Sequence, residues 1–312
     1  MKRFEGWFLQ CLLAVLGTVA TCAHAQAPLL LDASVSQQAL ASHTRYYHDL
    51  AGNDDLPAVR NHLEAGKFQP LPDGNTSFGF QDGAYWFQIN LLNTGNPDRK
   101  WLLVQEYALS DRIDVYAIHA DGRVLHKTGG DHLPFDQRNI RYRHPNFWLD
   151  LPPGETVNLL VRVQSESSMQ VPLRLYSPVA FIEQSRDSQF AIGLYYGILL
   201  ALFIYNLVMW LTLRDASYFW YLFHISAFGM VLFTLNGLGF EYLWPESAWL
   251  ADHAVPLSIC LALIGMQQFA RVFLELRQRW PAGDKVALAI IGFFVLLGLA
   301  AFKLPYYLVV PI

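Results

Sequence analysis

Apolar residues along this chain change their spacing twice. Behind Lys2 and Arg3 lies an apolar run, Trp7 to Val19, which gives way to Ala23-His24-Ala25. From Leu29 to Tyr176, apolar and polar residues alternate in short runs rich in β-branched and aromatic side chains and bounded by Gly, Pro, Asn and Asp, the period of strands. From Phe190 onward the runs become long and uncharged, as membrane-spanning helices require. The pattern predicts a signal peptide over 1–25, an exported β-rich domain over 27–178, a juxtamembrane connector over 179–189 and a helical membrane region over 190–312.

Within the alternating region the expected strands are Tyr85–Leu92, Trp101–Glu106, Arg112–His119, Arg123–Thr128, Asn146–Leu151, Thr156–Val163 and Val171–Tyr176. Ala120-Asp121-Gly122 and Pro152-Pro153-Gly154-Glu155 read as turns. One helix is expected at Leu56–Ala65, with Asp54 or Asp55 as N-cap, Pro57 in the first turn and Gly66 past the end. Seven or eight short strands at this spacing indicate an antiparallel sandwich or jelly roll.

In the membrane region Phe190 to Leu213 carries no Asp, Glu, Lys or Arg, and Ala216 to Phe240 follows across Arg214-Asp215 as the second arm of a tight hairpin. Further spans are expected at about 253–270 and 286–302. A fifth run starts at Leu304 and reaches Ile312 too soon to cross a bilayer, which predicts a fragment or a truncated reading frame. An export signal places 26–188 outside. The loop after the third span then lies inside with Arg271, Arg277, Arg279 and Lys285, whereas the outer loop Gly237–His253 holds Glu241, Glu246 and Asp252 and no Lys or Arg. Basic residues inside and Tyr242, Trp244 and Trp249 at the outer interface agree with that orientation, in a bacterial inner membrane with lipid as surroundings.

The chain is 53% hydrophobic and 15% charged, too apolar for an ordinary soluble domain, and its net charge of -4 with no basic–aromatic patch gives no support to nucleic-acid binding. The run at the N-terminus spans about 20 Å as a helix, short for an uncleaved anchor, and Thr21 before Cys22 suits lipidation poorly. Cys11 and Cys22 lie in the signal and Cys260 in an apolar helix, so the exported domain has no disulfide and depends on its core. Asn206, His224, Asn236, Gln267 and Gln268 fall within spans; interhelical hydrogen bonds of about 0.6 kcal/mol each are the favoured reading. A haem site would need a second histidine at the depth of His224, and His253 sits at an outer boundary. No catalytic motif is found, neither G-x-S-x-G, a phosphate-binding glycine loop, H-E-x-x-H nor C-x-x-C, so neither an enzyme nor a cofactor nor a metal is expected.

The runs GFQDGAYWFQINLLNTG (79–95), WLLVQEYALSDRIDVYAIHADG (101–122), TGGDHLPFDQR (128–138) and LLVRVQSESSMQVPLRLYSP (159–178) resemble the periplasmic sensor domain of the seven-transmembrane receptors with diverse intracellular signalling modules. The stretch 193–245, from GLYYGILLALF to GFEYLWP, is similar to that family's first helical hairpin. The resemblance implies a jelly roll related to carbohydrate-binding modules, seven membrane helices and a cytoplasmic kinase or diguanylate cyclase. The expected function is therefore signal reception: a small molecule or saccharide binds the sandwich, as monomer or weak homodimer, and biases the helical bundle. A transporter or membrane enzyme subunit with an accessory domain is the alternative, and no span carries the charged residues it predicts.

Aromatic faces and charged groups are what sugar sites use. The candidates are Arg138, Arg143 and His144, with Arg141, in the loop after DHLPFDQR, together with Trp148, Tyr107 and Trp86. Trp86 points away from Tyr85 and Phe87, and core packing is its favoured reading. Asp131 and Asp136, in one loop, are favoured as turn formers over paired glycosidase carboxylates.

Overall fold

The structure, a computed structural model, describes residues 27–96 and 98–302. The expected signal peptide and the run from Leu304 lie outside the described residues. Two antiparallel sheets face each other. The first contains β1 (Leu29–Leu31), β3 (Arg45–Asp49), β4 (Gln69–Pro70), β6 (Ala84–Asn93), β8 (Arg112–Ile118), β9 (Val124–Gly129) and β11 (Thr156–Gln164), in the order β4-β3-β6-β11-β8-β9 with β1 parallel to the far half of β6. The second runs β10 (Asn146–Asp150), β7 (Lys100–Gln105), β13 (Leu173–Tyr176) and β2 (Gln37–Ala39). A small ribbon pairs β12 (Met169–Gln170) with β5 (Ser77–Gly79).

Alternation along β6 explains the layering. Tyr85, Phe87, Ile89 and Leu91 enter the inter-sheet core with Trp101 and Leu103 of β7 and Leu159 and Val161 of β11. Each such side chain contributes about 1.5–3 kcal/mol when fully buried. Trp86 faces the other way and is covered by Val59 of α1 (Leu56–Glu64) and by Phe68, which follows that helix. Asp55 caps that helix, accepting from the Ala58 amide at 3.0 Å. On the outer face of the second sheet, Leu102, Val104 and Tyr176 pack on Tyr142, Ala180 and Phe181.

Ala180 and Phe181 belong to α2 (Pro178–Leu213), whose 36 residues make about 54 Å of helix, more than a bilayer core needs. Its first turns therefore stand outside the apolar layer against the sandwich, and the connector over 179–189 is helix. Arg214 takes a left-handed φ of 57° to end it, and Asp215 caps α3 (Ala216–Leu235). The expected second span ran to Phe240; the helix instead ends at Leu235, because Gly237 turns left-handed (φ 76°) and a short α4 (Leu238–Tyr242) follows. Then come α5 (Ala248–Phe273), α6 (Leu276–Arg279) and α7 (Pro281–Ala301). Among the described residues, four helices, α2, α3, α5 and α7, are long and apolar enough to cross a membrane. Small residues bring α3 and α5 together: a Cβ on Gly265 would lie 2.7 Å from Phe223 Cδ1, and His224 shares a 2.9 Å hydrogen bond with the Ala262 carbonyl. His224 thus serves helix packing.

The loop joining α3 to α5 lies on the sandwich side. Phe135, Phe240 and Ala251 form one buried cluster, and the Phe135 amide donates to the Pro245 carbonyl at 2.9 Å. The acidic loop and the exported domain share one side, and the basic residues Arg214, Arg277 and Arg279 are at the opposite helix ends, as the charge pattern requires.

Candidate functional site

Sandwich and membrane helices meet along a seam with two chemically different parts. In the first, the chain after β9 makes a 3-10 turn at Phe135–Gln137 and carries Arg138 under the loop of the membrane hairpin. The Arg138 guanidinium lies 4.7 Å from the Phe135 ring centre and 5.2 Å from that of Phe240. Its Nη1 donates to the carbonyls of Tyr142 (2.8 Å) and Arg143 (2.7 Å). Burial pulls this guanidinium down to about 10. Arg143 reaches across the seam, donating to Asn236 Oδ1 at 3.0 Å and Ser188 Oγ at 2.9 Å. His144 lies edge-on to Tyr142, and burial, followed by the charges of Arg143 and Arg138, pushes it down to about 3, so it stays neutral. A side chain at Gly237 would bring its Cβ within 2.6 Å of Ala108 Cβ, which is how closely the hairpin approaches the sandwich.

The candidate residues fall in separate places. Arg138, Arg143 and His144 cluster in this seam, where they clamp the sandwich to the hairpin. Trp148 packs on the Tyr142–Phe181 cluster beside them, its amide donating to Asn139 Oδ1 at 2.9 Å. Tyr107, whose hydroxyl is raised by burial, lies 3.4 Å from Ser167 Oγ. Trp86 is fully buried beneath α1 and stacks on Tyr116.

The second part of the seam is acidic, and the β8–β9 register builds it. Ile113 pairs with Gly129 and Asp114 with Thr128; carrying that register outward sets Asp111 opposite Asp131. Backbone bonds hold the crossing, from the Asp131 amide to the Ser110 carbonyl (3.0 Å) and from the His132 amide to that of Asp111 (3.2 Å). Gly130 permits it: at φ 130° a Cβ there would lie 2.1 Å from the Asp111 carbonyl oxygen. His132 Nε2 then lies 2.8 Å from Asp252 Oδ1, in the first turns of α5, and 3.9 Å from Asp111 Oδ2.

Electrostatics follow from this crowding. The Asp252 hydrogen bond holds the His132 imidazole up at about 9, protonated at neutral pH. Burial first, then the Asp111 charge, pushes Asp131 up to about 7. Burial also raises Asp111, even though Ser165 Oγ and the Glu166 amide donate to it at 2.8 and 2.7 Å. Above these groups opens a cleft of about 630 Å³ lined by Phe80, Gln81, Asp82, Asp111, Arg112, His132, Gln164 and Glu166. That volume suits a small ligand, and its walls are mostly polar. Asp111, His132 and Asp252 were not among the expected site residues, and Asp131 was read as a turn former. The signal that could have found them is the Asp at each open end of one hairpin, which only the register brings together.

Residues 41–177 match the family described as 7TMR-DISM extracellular 2, and residues 188–312 match 7TM diverse intracellular signalling. Carrying the extracellular and membrane regions in series, the chain belongs to the seven-transmembrane receptors with diverse intracellular signalling modules, and is a membrane sensory receptor. No curated protein matches it. Solved structures with some likeness include the β-glucuronidase of Ruminococcus gnavus in complex with uronic isofagomine, 13% identical over 48% of this chain and 30% of that one, with a TM-score of 0.28. The apo enzyme is 14% identical over 46% of this chain and 29% of that one, with a TM-score of 0.27. The chain thus spans less than a third of the length of these enzymes.

Proposed function

We propose that the chain is the sensing part of a bacterial inner-membrane receptor. Its periplasmic sandwich takes a small oxygen-rich ligand, a saccharide being the leading class, in the cleft above Asp111 and His132. The membrane helices then pass the occupancy to a cytoplasmic signalling module. The observation that carries this reading is the 2.8 Å bond from His132, in the cleft wall, to Asp252 at the outer end of a membrane helix. A ligand that moves His132 acts on α5 directly. Arg112 lines the cleft with its side chain 59% exposed and its Nε on Asp114 at 3.0 Å; it supplies a donor for hydroxyl or carboxylate oxygens, and Gln81 and Gln164 supply amides. This replaces Arg138 as the group expected to touch ligand, since Arg138 is occupied in the seam.

Calorimetry of the detergent-solubilised chain against neutral and acidic periplasmic saccharides tests it. Arg112→Ala is expected to weaken binding by about 1.5–3 kcal/mol, the range for hydrogen bonds to charged groups. A ligand bound equally well by Arg112→Ala and Gln164→Ala would place the site elsewhere, and failure of every saccharide would remove the carbohydrate assignment.

A further inference from the structure

We propose that the acidic half of the seam is a binding site for a divalent transition-metal cation, held by Asp111, Asp131 and His132 of the sandwich and by Asp252 of the membrane helix α5. Donor atoms of Asp111, His132 and Asp252 all lie within 4.8 Å of one another. Ligands at about 2.0–2.2 Å from a shared ion stand at comparable separations, so small side-chain movements suffice. The fourth residue is the independent sign. Asp131 is 4% exposed, and its Oδ1 has no hydrogen-bond partner among the described residues. It lines the same small cavity as Asp111 and Asp252. A buried carboxylate oxygen without a partner is costly, and a cation between these three carboxylates would satisfy it. Of the two positive side chains acting on Asp131, His132 is engaged with Asp252 and Asp111, and Arg138 spends Nη1 on two loop carbonyls.

The surroundings are built as metal sites usually are. Ser165 Oγ and the Glu166 amide fix the Asp111 carboxylate from behind, an outer layer that orients a ligand before the ion arrives. Asp111 and His132 also border the open cleft, which gives an ion its way in. One imidazole among carboxylates favours zinc or manganese over calcium, which takes oxygen donors alone. On binding, the ion takes the place of the proton between His132 and Asp252, and that proton is released to solvent. Because Asp252 alone comes from the membrane region, the ion would fasten the sandwich to α5. The site stands independently of which organic ligand the cleft takes.

The test uses the full chain, produced without a polyhistidine tag, stripped with a chelator and kept in detergent micelles. Zn²⁺ is titrated in competition with a chromogenic chelator, with Ca²⁺ and Mn²⁺ in parallel and released protons counted in weak buffer. Expected are one Zn²⁺ per chain, proton release, weaker Ca²⁺ binding, and at least a tenfold loss of affinity in each of His132→Ala, Asp131→Asn and Asp252→Asn. His126→Ala, which removes a histidine beside another buried carboxylate, Asp114, should bind as the wild type does. Asp252→Asn keeps the shape of a part-exposed side chain, and the metal-free circular dichroism of each variant serves as its folding control. Absence of stoichiometric Zn²⁺ binding, or binding unchanged in Asp252→Asn and His132→Ala, overturns the proposal.

Discussion

The inter-sheet core and the seam beneath it are built from opposite materials. The core is apolar throughout, its residues supplied by alternate positions of β6, β7 and β11. The seam holds two buried or half-buried arginines, two histidines and three aspartates around the Phe135–Phe240 contact. Apolar packing is indifferent to pH and to ions, so the core can only hold the sandwich together. Charged groups in a half-buried layer respond to protons, cations and ligands, so the seam can change state while the core stays fixed. A receptor needs both properties, and here they lie a few strand positions apart.

The largest effect that would sharpen this contrast is a cavity in the core. Leu159→Ala should destabilise the sandwich by about 2–5 kcal/mol in urea unfolding of the solubilised chain. Arg138→Met keeps an apolar stem but loses the two carbonyl bonds, and should cost about 1–2 kcal/mol, with faster hydrogen exchange confined to 134–145 and 237–253. If Leu159→Ala loosened 237–253 as much as the sandwich itself, core and seam would be a single cooperative unit and the contrast would fail.

Next comes pH. His144 in the folded chain titrates near 3, below its ordinary 6.5, because burial disfavours the imidazolium. The unfolded chain therefore binds the extra proton first. The stabilisation is complete above about pH 6.5 and is lost as pH falls toward 3, at up to about 1.4 kcal/mol per unit. His144→Leu should lack this loss, so the difference between the two stability profiles should change steeply between pH 6.5 and 4. Parallel profiles would mean that His144 is solvated, and the seam more open than described.

The same contrast decided what could be read from the residues alone. Strands that feed the core were legible: Tyr85–Leu92 is found as Ala84–Asn93 and Thr156–Val163 as Thr156–Gln164. β3 was missed because both its faces are covered, Tyr46 by the core and Tyr47 by the α1 layer, which erases alternation. The end of the second span was placed late because hydropathy runs on through Gly237, and only its left-handed backbone stops the helix. In the seam, the arginine loop stood out by composition, yet its role as a clamp depends on Phe240, about a hundred residues further on. Asp111 and His132 flank the β8–β9 hairpin whereas Asp252 lies at the start of α5, and no local pattern links a strand end to a membrane-helix start.

The central claim is that the sandwich wall is energetically tied to the membrane helix through His132 and Asp252. A double-mutant cycle with His132→Ala, Asp252→Asn and the combined variant, read as thermal stability of the chelator-treated solubilised chain at pH 7, measures that tie alone. The pair is partly exposed, so the expected coupling is modest, about 0.5–1 kcal/mol at low salt and smaller at high salt. Strictly additive single effects, with coupling indistinguishable from zero at low salt, would contradict the claim and leave the cleft without a link to α5.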